Sequence, residues 1–368
     1  GALWWDSVGG QMYVWYQDAN SSQWVPASNI AGAYLPIGGG NLTGPLTLAA
    51  DPVQPMQAAT KEYVDQGGAG GYSGFVNKLR NGTFDVWQRG ASGTIATGSY
   101  GTGADGWLIG NTPSNTAVWA QVTGRALSRY ALQIQGAATL TDTFLAQRIE
   151  SFISVALGGV SATIQYQIFN QTGATITPTI AVYHASVVDN FTTVVADLSP
   201  TNLQSCANGV WTRVAYTFSV PAASAALGLA ITLDFGAAQN ASGKNIAIAE
   251  ADLRATPGLP VGLNNNPPPP ELRPVAIEMA FCQRYLERSS YGVFAGYNNA
   301  GAASWYSVAW HTPKRSAPTM TTITPPTLTN GTTNTLNGYV DMYSFNLSVT
   351  AAGNAVISGG VVQASAEL

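Results

Sequence analysis

Between residues 115 and 253 one pattern recurs: short runs of alternating apolar and polar side chains, closed by clusters of Asn, Gly, Ser or Thr. The runs fall at 115–123, 130–135, 161–169, 177–185, 211–220, 228–235 and 245–253. Between them stand Asn170-Gln171-Thr172-Gly173, Asn208-Gly209 and Asn240-Ala241-Ser242-Gly243. A period of two sends successive side chains to opposite faces of a strand, so each run has one face to cover and one that tolerates water. Evenly spaced strands of this kind predict an all-β chain with a β-sandwich, a jelly roll, at its centre. Charged residues make up 9% of the 368, against roughly 25% in an average soluble protein. Low charge with many small polar residues suits short strands, tight turns and surfaces buried between subunits.

Several classes of function fall away. Net charge is −4 and Lys and Arg form no run, so a phosphate backbone finds little attraction and nucleic acid is not an expected partner. The longest apolar stretch, 222–233, is too short to span a bilayer as a helix, and no membrane insertion is expected. Gly1 opens directly onto Leu3-Trp4-Trp5 with no signal peptide, the start expected of a chain that continues upstream. Cys206 and Cys282 have no CxxC partner and read as buried free thiols. His184 and His311 stand far apart, without the neighbouring ligands a metal hydrolase needs. No Gly-x-Ser-x-Gly elbow and no phosphate-cradling loop is present. No cofactor is expected.

Five segments follow one another. Residues 1–34 read as an aromatic β mini-domain with Trp4, Trp5, Trp15 and Trp24, too small to be stable alone and expected to pack on another subunit or an attachment site. In 35–74, Leu46 and Leu48 mark a short strand, Met56, Ala59 and Tyr63 fall at helical spacing, and a Gly-rich linker ends the segment. The sandwich is assigned to 75–258. Residues 259–274, with Pro267–Pro270, predict an extended, semi-rigid spacer. In 275–368, Val275, Met279, Cys282 and Leu286 predict the seam of a short helix able to pack in a bundle, before a C-terminal β-domain.

Three stretches resemble known modules. Gly39-Gly40-Asn41-Leu42-Thr43-Gly44-Pro45-Leu46-Thr47-Leu48, with Asp51-Pro52 and Ala58-Ala59-Thr60-Lys61-Glu62-Tyr63-Val64-Asp65, is similar to a module common in bacteriophage tail fibres. Asn81-Gly82-Thr83-Phe84-Asp85-Val86-Trp87-Gln88-Arg89-Gly90 with Asp105-Gly106-Trp107 resembles the opening of carbohydrate-binding-module-like domains in phage tail proteins. Arg273-Pro274, Glu278 and Cys282-Gln283-Arg284-Tyr285 resemble the segment many phage fibres carry after their jelly roll; Leu286 stands where a second aromatic is frequent. The resemblance implies a homotrimeric, non-catalytic tail fibre or head spike. Its N-terminal part would attach to other virion proteins and trimerise, and its jelly roll would bind capsule or lipopolysaccharide on the host.

A sugar presents apolar C–H faces and a rim of hydroxyls, so its site needs an aromatic platform among amides or carboxylates. Trp119, with Gln121, lies on the polar side of its run, opposite Val118, Ala120 and Val122. Gln165 and Gln167 point away from Ile164, Tyr166 and Ile168; Tyr183 and Asp234 likewise stand on outward positions. If these strands share a sheet, Trp119, Gln121, Gln165, Gln167, Tyr183 and Asp234 line one concave glycan-binding face; packing under a loop or on another subunit is the alternative. Trp211 reads as a core edge, and Trp305, Tyr306 and Trp310 as a second site. Glycoside cleavage by a depolymerase would need two carboxylates about 5 to 10 Å apart, drawn from Asp85, Asp105, Asp234, Glu250 and Asp252. Asp85, Glu250 and Asp252 could also hold a structural calcium, or be plain solvated carboxylates. A purely structural virion connector is the third reading.

Overall fold

The computed structural model describes residues 2–27, 75–95, 101–112, 117–125 and 128–368. The fibre-like module at 35–74 lies outside them. The chain is all-β and forms two compact units, Gly1–Tyr63 and Val64–Leu368.

The described part of the first unit is an antiparallel sheet of β1 (Leu3–Asp6), β2 (Gln11–Gln17) and β3 (Ser22–Pro26), in that order. Its register places Trp4, Tyr13, Trp15 and Trp24 on one face, with ring centroids 5.2 to 6.1 Å apart. Leu3, Trp5, Met12, Val14 and Val25 take the other. Asp18 closes the second turn by accepting hydrogen bonds from Asn20 N and Ser21 N. Both faces are apolar. Three short strands cannot cover two such faces by themselves.

The second unit begins with a two-sheet sandwich. Its strands are β4 (Ser92–Thr94), β5 (Gly101–Thr102), β6 (Leu108–Thr112), β7 (Val118–Thr123), β8 (Tyr130–Gln135) and β9 (Asp142–Ile149). They continue as β10 (Ser161–Gln171), β11 (Thr179–Val187), β12 (Asn190–Asn202), β13 (Trp211–Ser219), β14 (Leu229–Asp234), β15 (Asn245–Ala255) and β16 (Gly262–Leu263). A seven-stranded sheet runs β16-β13-β10-β15-β8-β7-β4 and a six-stranded sheet runs β12-β11-β14-β9-β6-β5. Strands close in sequence cross between the sheets, as in a jelly roll. Ile134, Leu145, Ile164, Tyr166, Val182, Ile231, Ile248 and Leu253 fill the space between.

The stretch resembling phage modules is structural. Asn81 takes a positive φ of 53° and ties the loop with its amide, which donates to Val86 O and Asp105 O and accepts from Val86 N. Trp107, fully buried, stacks on Phe84 at 5.1 Å and donates to Asn81 O. Gly82 is glycine because any Cβ would sit 2.3 Å from Ala251 O.

Residues 264–271 are extended, but they are not a free spacer. Gln165 Nε2 donates to Pro268 O, Arg254 Nη2 to Pro269 O, and Glu271 N to Asp252 Oδ2. The segment is a strap laid over the seven-stranded sheet, because proline carbonyls without a ladder still accept from side chains. The helix Val275–Gln283 is also turned differently from the expected bundle seam. Its buried side chains are Glu278 and Cys282, while Val275 is exposed. Glu278 accepts from Asn81 N at 2.7 Å and pairs with Arg273 Nε at 3.2 Å, which pins the helix to the sandwich. Both cysteines are buried free thiols.

The C-terminal domain is a second, smaller sandwich. Its strands are β17 (Leu286–Ser290), β18 (Val293–Asn298), β19 (Ala303–Ala309), β20 (Thr319–Thr324), β21 (Thr327–Thr329), β22 (Gly331–Gly338), β23 (Met342–Val349), β24 (Gly353–Ser358) and β25 (Val361–Ser365). β17 and β18 pair in one continuous register with β25 and β24, from Leu286↔Ser365 to Asn298↔Gly353. With β20 and β21 on the far side they form a long sheet kinked at Gly292 and Gly359-Gly360, whose φ values of 66° to 77° favour glycine. The sheet β19-β23-β22 covers it over Tyr343, Phe345, Leu347, Ile357 and Val362. The expected second aromatic site does not assemble: Trp310 is buried and donates to Tyr339 O, Tyr306 packs on Phe345, and Trp305 alone is exposed. Polar ties dock this domain on the first sandwich: Glu150 accepts from Arg284 and Arg315, and Gln88 Nε2 donates to Leu286 O.

Candidate glycan-binding face

Register separates the six expected site residues. Trp119 pairs with Ile134 and is 4% exposed, inside the core and stacked on Trp87 at 5.8 Å. Gly93 makes room for it; a Cβ there would lie 2.7 Å from the indole. Gln121, opposite Leu132, follows Trp119 to the core side of the sheet. Gln165 and Gln167 lie on the outer face of the seven-stranded sheet, because Ile164, Tyr166 and Ile168 fill the core. Tyr183 and Asp234 sit on the outer face of the six-stranded sheet, since Tyr183 pairs with Ala230 and Thr179 with Asp234. The sandwich therefore puts its core between the two pairs, and no single concave face holds all six. Trp119 cannot be the platform.

The outer face of the seven-stranded sheet does carry a platform. Phe169 pairs with Trp211, and their rings lie 5.3 Å apart, tilted by 32°. Trp211 is thus on the open face and not at a core edge. Ala247, Ala249 and Ala131 are buried beside the pair and beside Val122. The next row across the strands is Arg213, Gln167, Ala249, Ala131 and Val122. Five strands at the usual sheet spacing make this trough about 19 Å long. Its walls are the proline strap, over Gln165 and Arg213, and the aromatic pair. A line of amides continues the aromatic row: Gln135 Nε2 donates to Gln133 Oε1, and Gln133 Nε2 faces Gln171 Oε1 at 3.5 Å.

Two features of the trough are costly for a surface with structural duties alone. Gln167 is 6% exposed and its Oε1 accepts no hydrogen bond. Buried polar atoms are nearly always satisfied, and an orphan costs about 1–3 kcal/mol. Opposite it, β15 bulges: the register slips between Gln165 and Gln167, and Glu250 adopts a φ of 51°. Bulges re-aim side chains beside binding sites, and a left-handed Glu stores strain. Arg125, partly exposed, stands 3.8 Å from the buried Glu250 carboxylate. Burial holds the Arg213 guanidinium below its ordinary range, against the pull of Glu250 and Asp252. An aromatic pair with an unsatisfied acceptor and an Arg–Glu pair beside it suit a flat, hydroxyl-rich ligand.

The candidate catalytic carboxylates are held by separate partners. Asp105 is buried under Gln88, which donates to it from N and Nε2, and burial pushes its carboxyl up to about 6. Asp252 is held by Arg254 and Glu271 N, and Asp85 by Thr83 Oγ1. Asp142, at the start of β9, is raised to about 6 by burial and then by the Asp234 charge. Asp85, Glu250 and Asp252 do not gather round a calcium, and among the described residues no three His, Cys or carboxylate side chains are placed to hold a metal ion.

No protein-family model matches the chain. Nor does any curated protein. Among solved structures it is similar to the C-terminal family 22 carbohydrate-binding module of Clostridium thermocellum xylanase 10B, at 14% identity and a TM-score of 0.31, over 52% of this chain and 98% of that one. The N-terminal carbohydrate-binding and catalytic modules of that enzyme, complexed with xylohexaose, align at 14% identity and TM-score 0.28, over 41% of this chain and 26% of that one. The enzymatically active domain of bacteriophage CBA120 tailspike protein 4 aligns at 14% and TM-score 0.30, over 49% of this chain and 21% of that one. This chain thus spans about a quarter of the xylanase chain and a fifth of the tailspike chain. At these scores the likenesses stay loose, and the weight of a functional reading falls on the trough.

Proposed function

We propose that this protein is a fibre or spike subunit on the surface of a bacteriophage or phage-like particle, and that it holds bacterial surface polysaccharide in the trough without cleaving it. The observation that carries the reading is the Trp211–Phe169 pair beside the orphaned Gln167 oxygen. The rings offer a platform to sugar C–H faces, and the amide oxygen awaits a hydroxyl donor. The sequence motifs at 39–65, 81–107 and 273–285 support the virion setting. The two-sided apolar sheet of β1 to β3 supports self-association, with a homotrimer as the proposed state and other virion proteins as its N-terminal partners. Three weak sites on one particle gain avidity through effective concentration.

Capsule or lipopolysaccharide from candidate hosts, titrated by calorimetry, tests the reading. Saturable binding, lost in Trp211→Ala and without new reducing ends, is the expected result. New reducing ends would transfer the function to a depolymerase, for which the raised Asp142 beside Asp234 is the pair to mutate first. Failure to bind any glycan, with tight docking to another virion protein, would favour a connector.

A further inference from the structure

A cavity of about 460 Å³ lies where residues 75–80, Phe152 and the end of the helix Val275–Gln283 meet. It is apart from the glycan trough and shares no residue with it. Phe75, Phe152, Phe281 and Tyr285 supply apolar walls, and Lys78 and Arg80 supply cations. The other two cations of the lining have carboxylates: Arg273 pairs with Glu278 and Glu271, and Arg284 with Glu150. Lys78 and Arg80 differ. They are 9% and 8% exposed, and neither forms a salt bridge with a carboxylate among the described residues. Lys78 Nζ has one acceptor, Phe75 O at 3.2 Å; Arg80 gives a hydrogen bond to Arg148 O and stacks 3.8 Å over Tyr285. Burying a cation without its counter-ion is expensive, and proteins pair such charges. Burial pulls the Lys78 ammonium below its ordinary range, with Glu271 opposing from a distance. At the cavity mouth Phe152 is 58% exposed, with the Arg284 guanidinium 5.3 Å from its ring centroid.

We propose that this cavity binds a small amphiphilic anion: one carboxylate, sulfonate or phosphate group on a flat apolar body. The anionic group sits between Lys78 and Arg80, and the body lies against Phe75, Phe281 and Phe152. Arg80 serves with its planar face already on Tyr285 and its Nη1 fixed on Arg148 O.

Anilinonaphthalene sulfonate is the probe, titrated into the full chain by fluorescence and calorimetry. One saturable site per chain is expected. Lys78→Met, which keeps the aliphatic stem, should weaken it about tenfold or more by removing a charge-assisted contact. Phe152→Ala, at an exposed position, should weaken it about fivefold. The uncharged phenylnaphthylamine should bind far more weakly, and Trp211→Ala should leave the site unchanged. Absence of saturable binding overturns the proposal. So does binding that survives both substitutions, or equal affinity for the uncharged probe. If Lys78→Met does not fold, Phe152→Ala and the uncharged probe decide.

Discussion

The two outer faces of the large sandwich are built from the same kind of strand and meet opposite fates. On the six-stranded face, Tyr183, Ala185, Ala230 and Phe191 gather under Leu368, and Arg148 donates to the Leu368 carbonyl. Arg315, beside Leu368, is engaged by Glu150. Leu368 packs against that cluster. On the seven-stranded face the strap is tied to Gln165 and to Arg213, the cross-strand neighbour of Gln167. An aromatic on an outward strand position is thus uninformative until its cover is known, because apolar patches mark internal packing as readily as ligand sites. The open face is where the protein leaves polar capacity unused.

The largest effect that can break this comparison is on stability. Trp119→Ala empties a core position, and aromatic-to-Ala truncations in cores cost about 3–5 kcal/mol. Denaturant unfolding should show that loss, while the folded fraction keeps its glycan affinity. A folded variant with full stability and no binding would return the site to Trp119. Next comes Trp211→Ala, which removes the half-buried platform. Burying an aromatic face is worth about 2 kcal/mol, or roughly thirtyfold in affinity. Its mirror control is Tyr183→Ala on the six-stranded face, expected to lower stability and leave affinity alone. Reversal of the two outcomes would exchange the faces.

A smaller effect sharpens the comparison. Gln167→Leu removes the orphan oxygen at nearly constant volume. Glycan affinity should fall about tenfold with the lost hydrogen bond. Stability should hold or rise by about 1 kcal/mol, because an unsatisfied buried acceptor is replaced by an apolar group. Few single changes weaken binding and strengthen the fold together. A drop in both would mean that Gln167 has a structural partner.

The alternation of the chain made the sheets legible. All seven expected strands are present, and the longest, β10 and β15, start where expected and extend two residues further. Strands β9 and β12 were not legible, for separate reasons. In β9, Leu145-Ala146 breaks the alternation; β12 is an edge strand with Val194 and Val195 both exposed and Pro200 within it. The facing of β7 was misread because both of its sides are apolar: Trp119 enters the core, while Val122 joins the cluster under Trp211. A period of two gives two faces but does not name the inner one. Gln165 and Gln167 were readable as outward because Ile164, Tyr166 and Ile168 leave no doubt. Which outward residues share a sheet depends on crossovers between sheets, and these leave no mark in local sequence. Tyr183 and Asp234 went astray on that account.

The smallest effect tests whether charge on the six-stranded side reaches the open one. Asp105, in the turn before β6, and Asp142, at the head of β9, both belong to the six-stranded side, and burial raises each to about 6 from an ordinary 3.8. Between those values the folded chain keeps protons that the unfolded chain has released. Their stabilising contribution is therefore full below about 3.8, declines as pH rises, and is gone above about 6. Glu287 acts in the opposite sense. Burial would raise it, but Lys314 and His311 outweigh that and hold it below 4.5, so its contribution fades in acid. The clean window is the decline from pH 4.5 to 6. Asp105→Asn should flatten that slope, with a net change at pH 7 of about 1 kcal/mol or less, since relief of burial offsets the lost bonds from Gln88. Glycan affinity should stay level across the same window, because neither carboxyl touches the trough. An affinity that followed the unfolding slope would tie the two faces together and count against a ligand resting on the open one alone.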